Sequence, residues 1–181
     1  MEEVMDVIRK EVEGCDKLQG FDKAHAIGGG TGGGMTTLLV SKLREEYIDR
    51  LIQGFSIFPS INTPLSVVEP YNVGLTVNLL INSTEAIHVI ENDSLDRICT
   101  RELKISKPSF DDFNTLVSSV MSGVSCSIRF PGQLNSNLRK IVTNLTPFVR
   151  NHFFMTSYVT SPMAYQALSE KELTRQIFEP R

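Results

Sequence analysis

Cysteine is scarce in this chain of 181 residues: Cys15, Cys99 and Cys126, with no CxxC pair among them. An odd, widely spaced set argues against a disulfide scaffold and against a structural zinc site. Histidine is equally sparse, at His25, His88 and His152, and the default reading of each is a packed side chain. Long apolar runs are missing, and nothing approaches the ~20 residues that a bilayer-spanning helix needs. The segment MEEVMDVIRKEVEG is charged from its second residue, so no secretory leader is expected. Without a secretory route the two Asn-x-Ser/Thr sequences, at Asn82 and Asn144, carry no weight. An excess of one charge is lacking as well. Lys plus Arg is 18 and Asp plus Glu is 21, a formal balance of −3, which argues against a generic nucleic-acid binder. What is present, 41% hydrophobic and 22% charged residues, suits a folded chain rather than a disordered one.

The periodicity predicts alternating helices and strands. Met1, Val4, Met5, Ile8 and Val12 follow three-four spacing and predict a helix over 1–16. A short apolar segment, Ala24 to Ile27, reads as a buried strand. Met35, Leu38, Leu39, Leu43 and Tyr47 share one face of a second helix. LIQGFSIF at 51–58 reads as a strand stopped by Pro59, and Pro64 and Pro70 keep the next stretch in a loop. A helix over 71–81, a strand over 86–90 and a helix over 95–103 follow. Short strands between helices predict an α/β fold, with a mostly parallel sheet covered on both faces. Phe110, Phe113, Leu116, Val117, Val120 and Met121 form the stripe of a longer helix, read as running from 109 to 130, where Pro131-Gly132 ends it. Then come a helix over 138–145, a strand over 152–159 and a helix over 170–178. Ser169 and Glu172 have the spacing of a capping box at the start of that last helix.

The sharpest local signal is GGGTGGG at 28–34. Six glycines in seven positions lose much entropy on ordering. That loss is offset only where backbone turns tightly or lies close to something. The segment follows a strand and opens a helix, so its amides converge with a helix amino end on one point. This predicts an anion site, and a phosphate group in particular. No Lys follows at Walker A spacing, and the pattern is not the dinucleotide fingerprint, so the base stays open on this ground. Glu69, Asn72, Asn92 and Asp93 lie near strand ends, where ligands of open parallel sheets bind. Glu69 suits ribose hydroxyls and Asn92 a base edge, although helix-cap and turn roles fit the same residues. Phe110 and Asn114 are one helical turn apart, a spacing that allows stacking plus an amide contact; Phe110 reads equally as core.

The segments EVEGCDKLQGF, GGGTGGGM, LLVSKLREEYIDR, VVEPYN, RFPGQL, LNSNLRK and NHFFM, in this order, resemble the tubulin family and, within it, its beta branch. GGGTG alone resembles the bacterial division GTPases of the same superfamily as well. The resemblance implies a partial Rossmann-like nucleotide-binding sheet over 1–108, a core helix over 109–130 and the start of an α+β intermediate domain over 131–181. It implies that GTP or GDP phosphates lie on Gly28, Gly29, Gly30, Thr31, Gly32 and Gly33, with Gly34 closing the loop. Glu69, in the loop from Val67 to Asn72, then serves the ribose, and Asn92 and Asn114 serve guanine. Phe110 takes the place of a stacking aromatic that is usually Tyr. Mg²⁺ is implied too, with ligands mostly outside this chain. The implied partners are an alpha-tubulin-like subunit and the microtubule lattice, in the cytoplasm and cytoskeleton, with no nucleic acid and no membrane.

In that family a neighbouring subunit completes hydrolysis. The position of the activating Glu of alpha chains is Lys140 here, so no catalytic residue is expected in this chain, and any GTPase activity depends on a partner's Glu. The pattern departs from the family at Ala26 and Gly33, where small hydroxyls are usual, at Leu65 and Asn137, where acidic residues are usual, and at Val149 and Thr156, where Pro is usual. The segment after HFFM is about four residues short by the same comparison. Family segments before the matched stretch carry further phosphate and metal contacts, and a helical hairpin with an acidic tail, contacted by partners, lies after it. A second reading follows: a truncated tubulin-like interaction protein, not catalytic, with weak or no nucleotide binding.

Overall fold

A computed structural model describes residues 1–60, 66–130, 132–133, 135–148, 150–159 and 169–178. Leu65 and Val149 lie outside the described residues. The chain runs α1 (Glu2–Glu13), β1 (Gly20–Ala26), a π-turn (Gly30–Met35), α2 (Thr36–Glu46), β2 (Leu51–Phe58), α3 (Glu69–Ser83), β3 (Ala86–Glu91), α4 (Asn92–Arg101), α5 (Phe110–Val124), α6 (Cys126–Arg129), α7 (Leu138–Leu145), β4 (Phe153–Met155) and α8 (Glu170–Phe178). The four strands form one sheet in the order β1-β2-β3-β4, and every pairing is parallel. This is the α/β, Rossmann-like architecture that the alternation predicts.

Register aligns the strand ends. Ala26 pairs with Ile57, Ile57 with Ile90, and Phe58 with Glu91. The loops that carry the candidate residues therefore leave the sheet side by side, along one carboxyl edge.

The two faces of the sheet sort the helices. On one, Ile52 packs with Met5 of α1 and with Val40 and Leu43 of α2. Ile87 joins Ile27 and Leu80 of α3 on the same side. On the other, Phe55 and Ile90 pack with Leu95 and Cys99 of α4 and Leu116 of α5, while Leu51 and Ala86 meet Val142 of α7. Residues of alternate parity point to opposite faces, as a pleated strand requires. β2 is covered on both, which is why LIQGFSIF reads as a nearly continuous apolar run. Two polar ties sit in this frame. Arg9 of α1 forks onto Glu46 of α2 at 2.7 and 2.8 Å, and the Glu85 carboxylate accepts the Ile52 N–H at 2.8 Å while pairing with Arg44.

Several boundaries differ from the sequence reading, each for a local reason. β1 begins at Gly20 rather than Ala24, because its polar residues are accommodated: Asp22 bonds Gln53 and His25 bonds Ser56 across the strand pair. Gly20 passes so close to the Leu51 carbonyl that a Cβ would overlap it. α3 begins at Glu69 with Pro70 inside its first turn, where a missing N–H costs nothing. α4 begins at Asn92, directly after β3. The stretch 109–130 is two helices. Ser125 ends α5, with its hydroxyl donated back to Met121 O at 2.9 Å, the kind of bond that bends helices. β4 is confined to Phe153–Met155. Among the described residues no helix is long and apolar enough to cross a membrane.

α3 has one charged residue, Glu69, and none in the fourteen positions after it. Thr76 and Leu80 are buried, yet Val68, Tyr71, Leu75 and Leu79 on the outer side are 55, 75, 70 and 44% exposed. The outer side mixes these apolar residues with the exposed amides of Asn78 and Asn82 and carries no charge after Glu69.

Candidate functional site: the glycine turn at the carboxyl edge of the sheet

β1 ends at Ala26, and the chain turns within Ile27–Gly29 into a helix. Its first six residues, Gly30–Met35, have π geometry and run straight into α2. π segments inside α-helices concentrate at functional positions. No described glycine has a positive φ, so left-handed backbone is not what these glycines supply. Closeness is. A Cβ on Gly32 would overlap the Ala26 carbonyl, and one on Gly33 would stand 2.6 Å from Thr76 Oγ1 and 3.1 Å from Ile27 O. Gly28 lies against the Glu69 side chain, with a Cβ there meeting Cγ at 3.4 Å. Gly29, Gly30 and Gly34 instead face open space. The turn therefore has a packed side, fixed by Gly32 and Gly33, and an open side where backbone is bare.

Neighbouring elements brace the packed side. Asn72 Nδ2 donates to Gly28 O at 2.9 Å, and Glu69, buried at the start of α3, backs the same residue. Gly33 N–H is taken by Gly29 O at 2.9 Å. Thr36 and Thr37 hydroxyls donate to Thr31 O and Gly34 O. His25, the penultimate residue of β1, places Nδ1 2.6 Å from Gly32 O and Nε2 2.8 Å from Ser56 Oγ. Burial lowers the His25 pKa below the usual histidine range, the Gly32 carbonyl opposes this, and the Lys23 charge adds to it.

The predicted residues fall into two groups. Gly28 to Gly33, Glu69 and Asn72 form one connected unit. Asn92, half-buried, opens α4 on the same sheet edge. Phe110 and Asn114 stand on α5, which packs over α4 and β3 through Leu116 and Phe113. Phe110 is 75% exposed and meets Phe113 edge-on at 6.0 Å, so it is not a core side chain. Asn114 is exposed and lines a groove with Ser118, Ser122, Cys126 and Tyr158, a groove that includes no residue of the glycine turn. Sequence reasoning misses His25 and Ser56. A lone histidine reads as core, and the one available signal was its parity with Phe21 and Lys23 on a strand longer than the apolar residues show.

The chemistry on offer is hydrogen-bond donation to an anion. The first amides of a helix have no intrahelical acceptor, and here they follow a strand at the edge of a parallel sheet. Among the described residues no group of three or more His, Cys, Asp or Glu side chains could hold a metal ion.

Residues 1–100 match the family description "Tubulin/FtsZ family, GTPase domain". The whole chain aligns with the tubulin beta chain of Saccharomyces cerevisiae at 51% identity over 185 aligned positions and spans 40% of that relative's length.

Proposed function

The chain belongs to the Tubulin/FtsZ family, and from that premise we propose that its glycine turn binds the phosphates of GTP or GDP, as part of a beta-tubulin-like subunit that pairs with an alpha-tubulin-like partner in the microtubule lattice of the cytoplasm. The observation that carries this reading is the two-sided turn. Gly32 and Gly33 are required by packing, while Gly29 and Gly30 leave bare backbone at a helix amino end. In this reading Gly28, Gly29, Gly30, Thr31, Gly32 and Gly33 surround the phosphates, with Gly33 contributing shape because Gly29 O already occupies its N–H. Glu69 takes ribose hydroxyls, Asn92 and Asn114 read guanine edges, and Phe110 offers an uncommitted aromatic face. The nucleotide-binding unit is 1–108, the connecting helical stretch 109–130, and the first part of an intermediate domain 131–181.

Mg²⁺ commonly keeps several waters and binds through nucleotide phosphates. The described side chains form no cage for it, and no step is routed through it. Lys140 is exposed on α7. A lysine there offers positive charge to a neighbour's phosphates and cannot act as a carboxylate base. The activating Glu comes from the partner.

The departures at Ala26 and Leu65 and the shortened segment after HFFM favour the second reading, an interaction protein of the same family with weak or no nucleotide binding. One titration tests the nucleotide reading. Amide spectra of the purified chain, with GTP and Mg²⁺ added, are expected to show saturable shifts at Gly30, Thr31 and Gly32, with affinity weaker than micromolar, and much smaller shifts with ATP. No response at millimolar GTP, or an equal response to ATP, overturns the nucleotide reading.

A further inference from the structure

The π geometry of the turn has an identifiable cause. In an α-helix the Thr36 N–H would bond the carbonyl four residues back, that of Gly32. It bonds Thr31 O and Gly33 O instead and steps over the one between. That skipped carbonyl lies 2.6 Å from His25 Nδ1. The close approach needs a glycine, since a Cβ on residue 32 would overlap Ala26 O.

We propose that His25 is a positioning residue for the phosphate-binding turn: its Nδ1–H holds Gly32 O, removes the acceptor an α-helical turn would use, and keeps residues 30–35 wide. The inference rests on the reading of this turn as a phosphate cradle. A carbonyl oxygen only accepts, so Nδ1 carries the proton. In the neutral ring Nε2 then accepts, and its donor is Ser56 Oγ–H at 2.8 Å. Ser56 is fully buried and is the register partner of His25 on β2. Two paired strands therefore fix the ring, and the ring fixes the turn. With Gly33 N–H on Gly29 O and Gly32 O on His25, the peptide unit between residues 32 and 33 is bonded at both ends. Its direction is set before any ligand arrives, and the open side is left to Gly29, Gly30 and Gly34.

The test uses the purified chain with His25→Asn and His25→Leu. An Asn amide nitrogen sits close to where Nδ1 does, and Leu has no donor. Imidazole ¹⁵N shifts without nucleotide are expected to show the Nδ1–H tautomer of His25 at neutral pH. In His25→Leu the backbone shifts of residues 30–36 move towards α-helical values. GTP affinity falls about tenfold, the size of one lost charge-assisted contact. His25→Asn restores both. If His25→Leu does not fold, Ser56→Ala takes its place. It keeps the ring and its Nδ1–H bond to Gly32 O but frees the Nε2 edge, so a persisting Nδ1–H tautomer with a partial shift of the turn is expected.

An Nε2–H tautomer in the wild-type chain overturns the proposal, as do Leu and Asn variants that leave the turn and its affinity alike, or a Ser56→Ala chain whose turn does not move. A wild-type chain silent to GTP overturns the nucleotide reading and the word phosphate with it. The tautomer and the turn shifts still decide whether His25 sets the geometry.

Discussion

Lys23 is a cation on the inner face of an outer strand. Its Nζ is buried with no hydrogen-bond partner among the described residues, and its side chain lies across Gly54. Desolvation alone pulls its pKa down to about 8. Below that pH the folded chain carries a poorly solvated charge, and the unfolded chain does not. Lys23→Leu is therefore expected to raise stability at pH 7 by on the order of 2 kcal/mol. The sign follows from proton counts. Between pH 8 and the ordinary lysine value the unfolded state binds more protons, so wild-type stability climbs with pH. The advantage of the leucine variant then shrinks. Denaturant titrations at pH 7 and pH 10 check this, and an advantage that grows with pH would refute it. At the glycine turn, alanine should separate packing from binding. Gly32→Ala meets the Ala26 carbonyl and is expected to cost several kcal/mol. Gly30→Ala has open space and an ordinary φ and is expected to hold or gain up to about 1 kcal/mol. Thermal melts of the pair decide it, and equal losses would mean that the turn is not two-sided.

Among the elements, those with strong periodicity are legible in the sequence: α1, β2, β3, α7 and α8 fall where apolar spacing puts them. The losses occur where a side-chain bond rather than hydrophobicity sets the boundary. β1 is hidden by Asp22, Lys23 and His25: the partners of Asp22 and His25 lie on β2 and in the glycine turn, and the Lys23 ammonium has no hydrogen-bond partner among the described residues. Pro70 reads as a stop although a first turn tolerates it. Ser125 breaks a helix whose apolar stripe continues past it. The start of α5, by contrast, is set by a full capping box: Asp112 N–H donates to Ser109 Oγ, and the Asp112 carboxylate accepts from Ser109 N–H at 2.8 Å. Those bonds from Ser109 hold the Asp112 carboxyl below the usual range, the backbone N–H contributing most. Ser109→Ala should cost about 1 kcal/mol at neutral pH. The difference between the two chains should narrow as pH falls through the depressed Asp112 value, because the Ser109 hydroxyl then loses its carboxylate acceptor while the Asp112 N–H bond to Ser109 Oγ persists. A difference unchanged into that acid range would remove the carboxylate half of the box as a contributor. The carboxyl-edge cluster of Gly28, Glu69 and Asn92 is legible because parallel strands put their loops on one side. The attachment of His25 to it is not, because only the structure shows strand register.

For the whole molecule, all three histidines sit in desolvating surroundings that lower their pKa values. His88 stacks on Phe55 at 4.7 Å, and its buried Nδ1 has no hydrogen-bond partner among the described residues. Each stays neutral when folded and takes a proton more readily when unfolded. Stability is expected to be level from about pH 6.5, the free histidine value, up to the pH near 8 where Lys23 begins to titrate, and to drop as pH falls below about 6.5. The carboxylates Glu46, Asp112 and Glu172, held low by their partners, act only in a more acid range. A melting temperature constant from pH 7 to pH 5 would contradict this. At the same scale, the chain alone is expected to show no sustained GTP turnover. Adding an alpha-type partner should supply it. Phosphate release by the chain by itself, unchanged in Thr31→Ala, would count against the site.

A π-turn is an α-helix that carries one residue more than its hydrogen-bond pattern needs. The spacing from Ala26 to the buried Thr37 is thus a matter of residue count as much as of composition. Removing Gly34 would let the segment close into an ordinary helix with Thr37, Val40 and Leu43 still facing inward. Such a shortened chain would fold with its interior intact and lose only the breadth of its rim, so in this family length at the loop should be guarded as strictly as glycine itself.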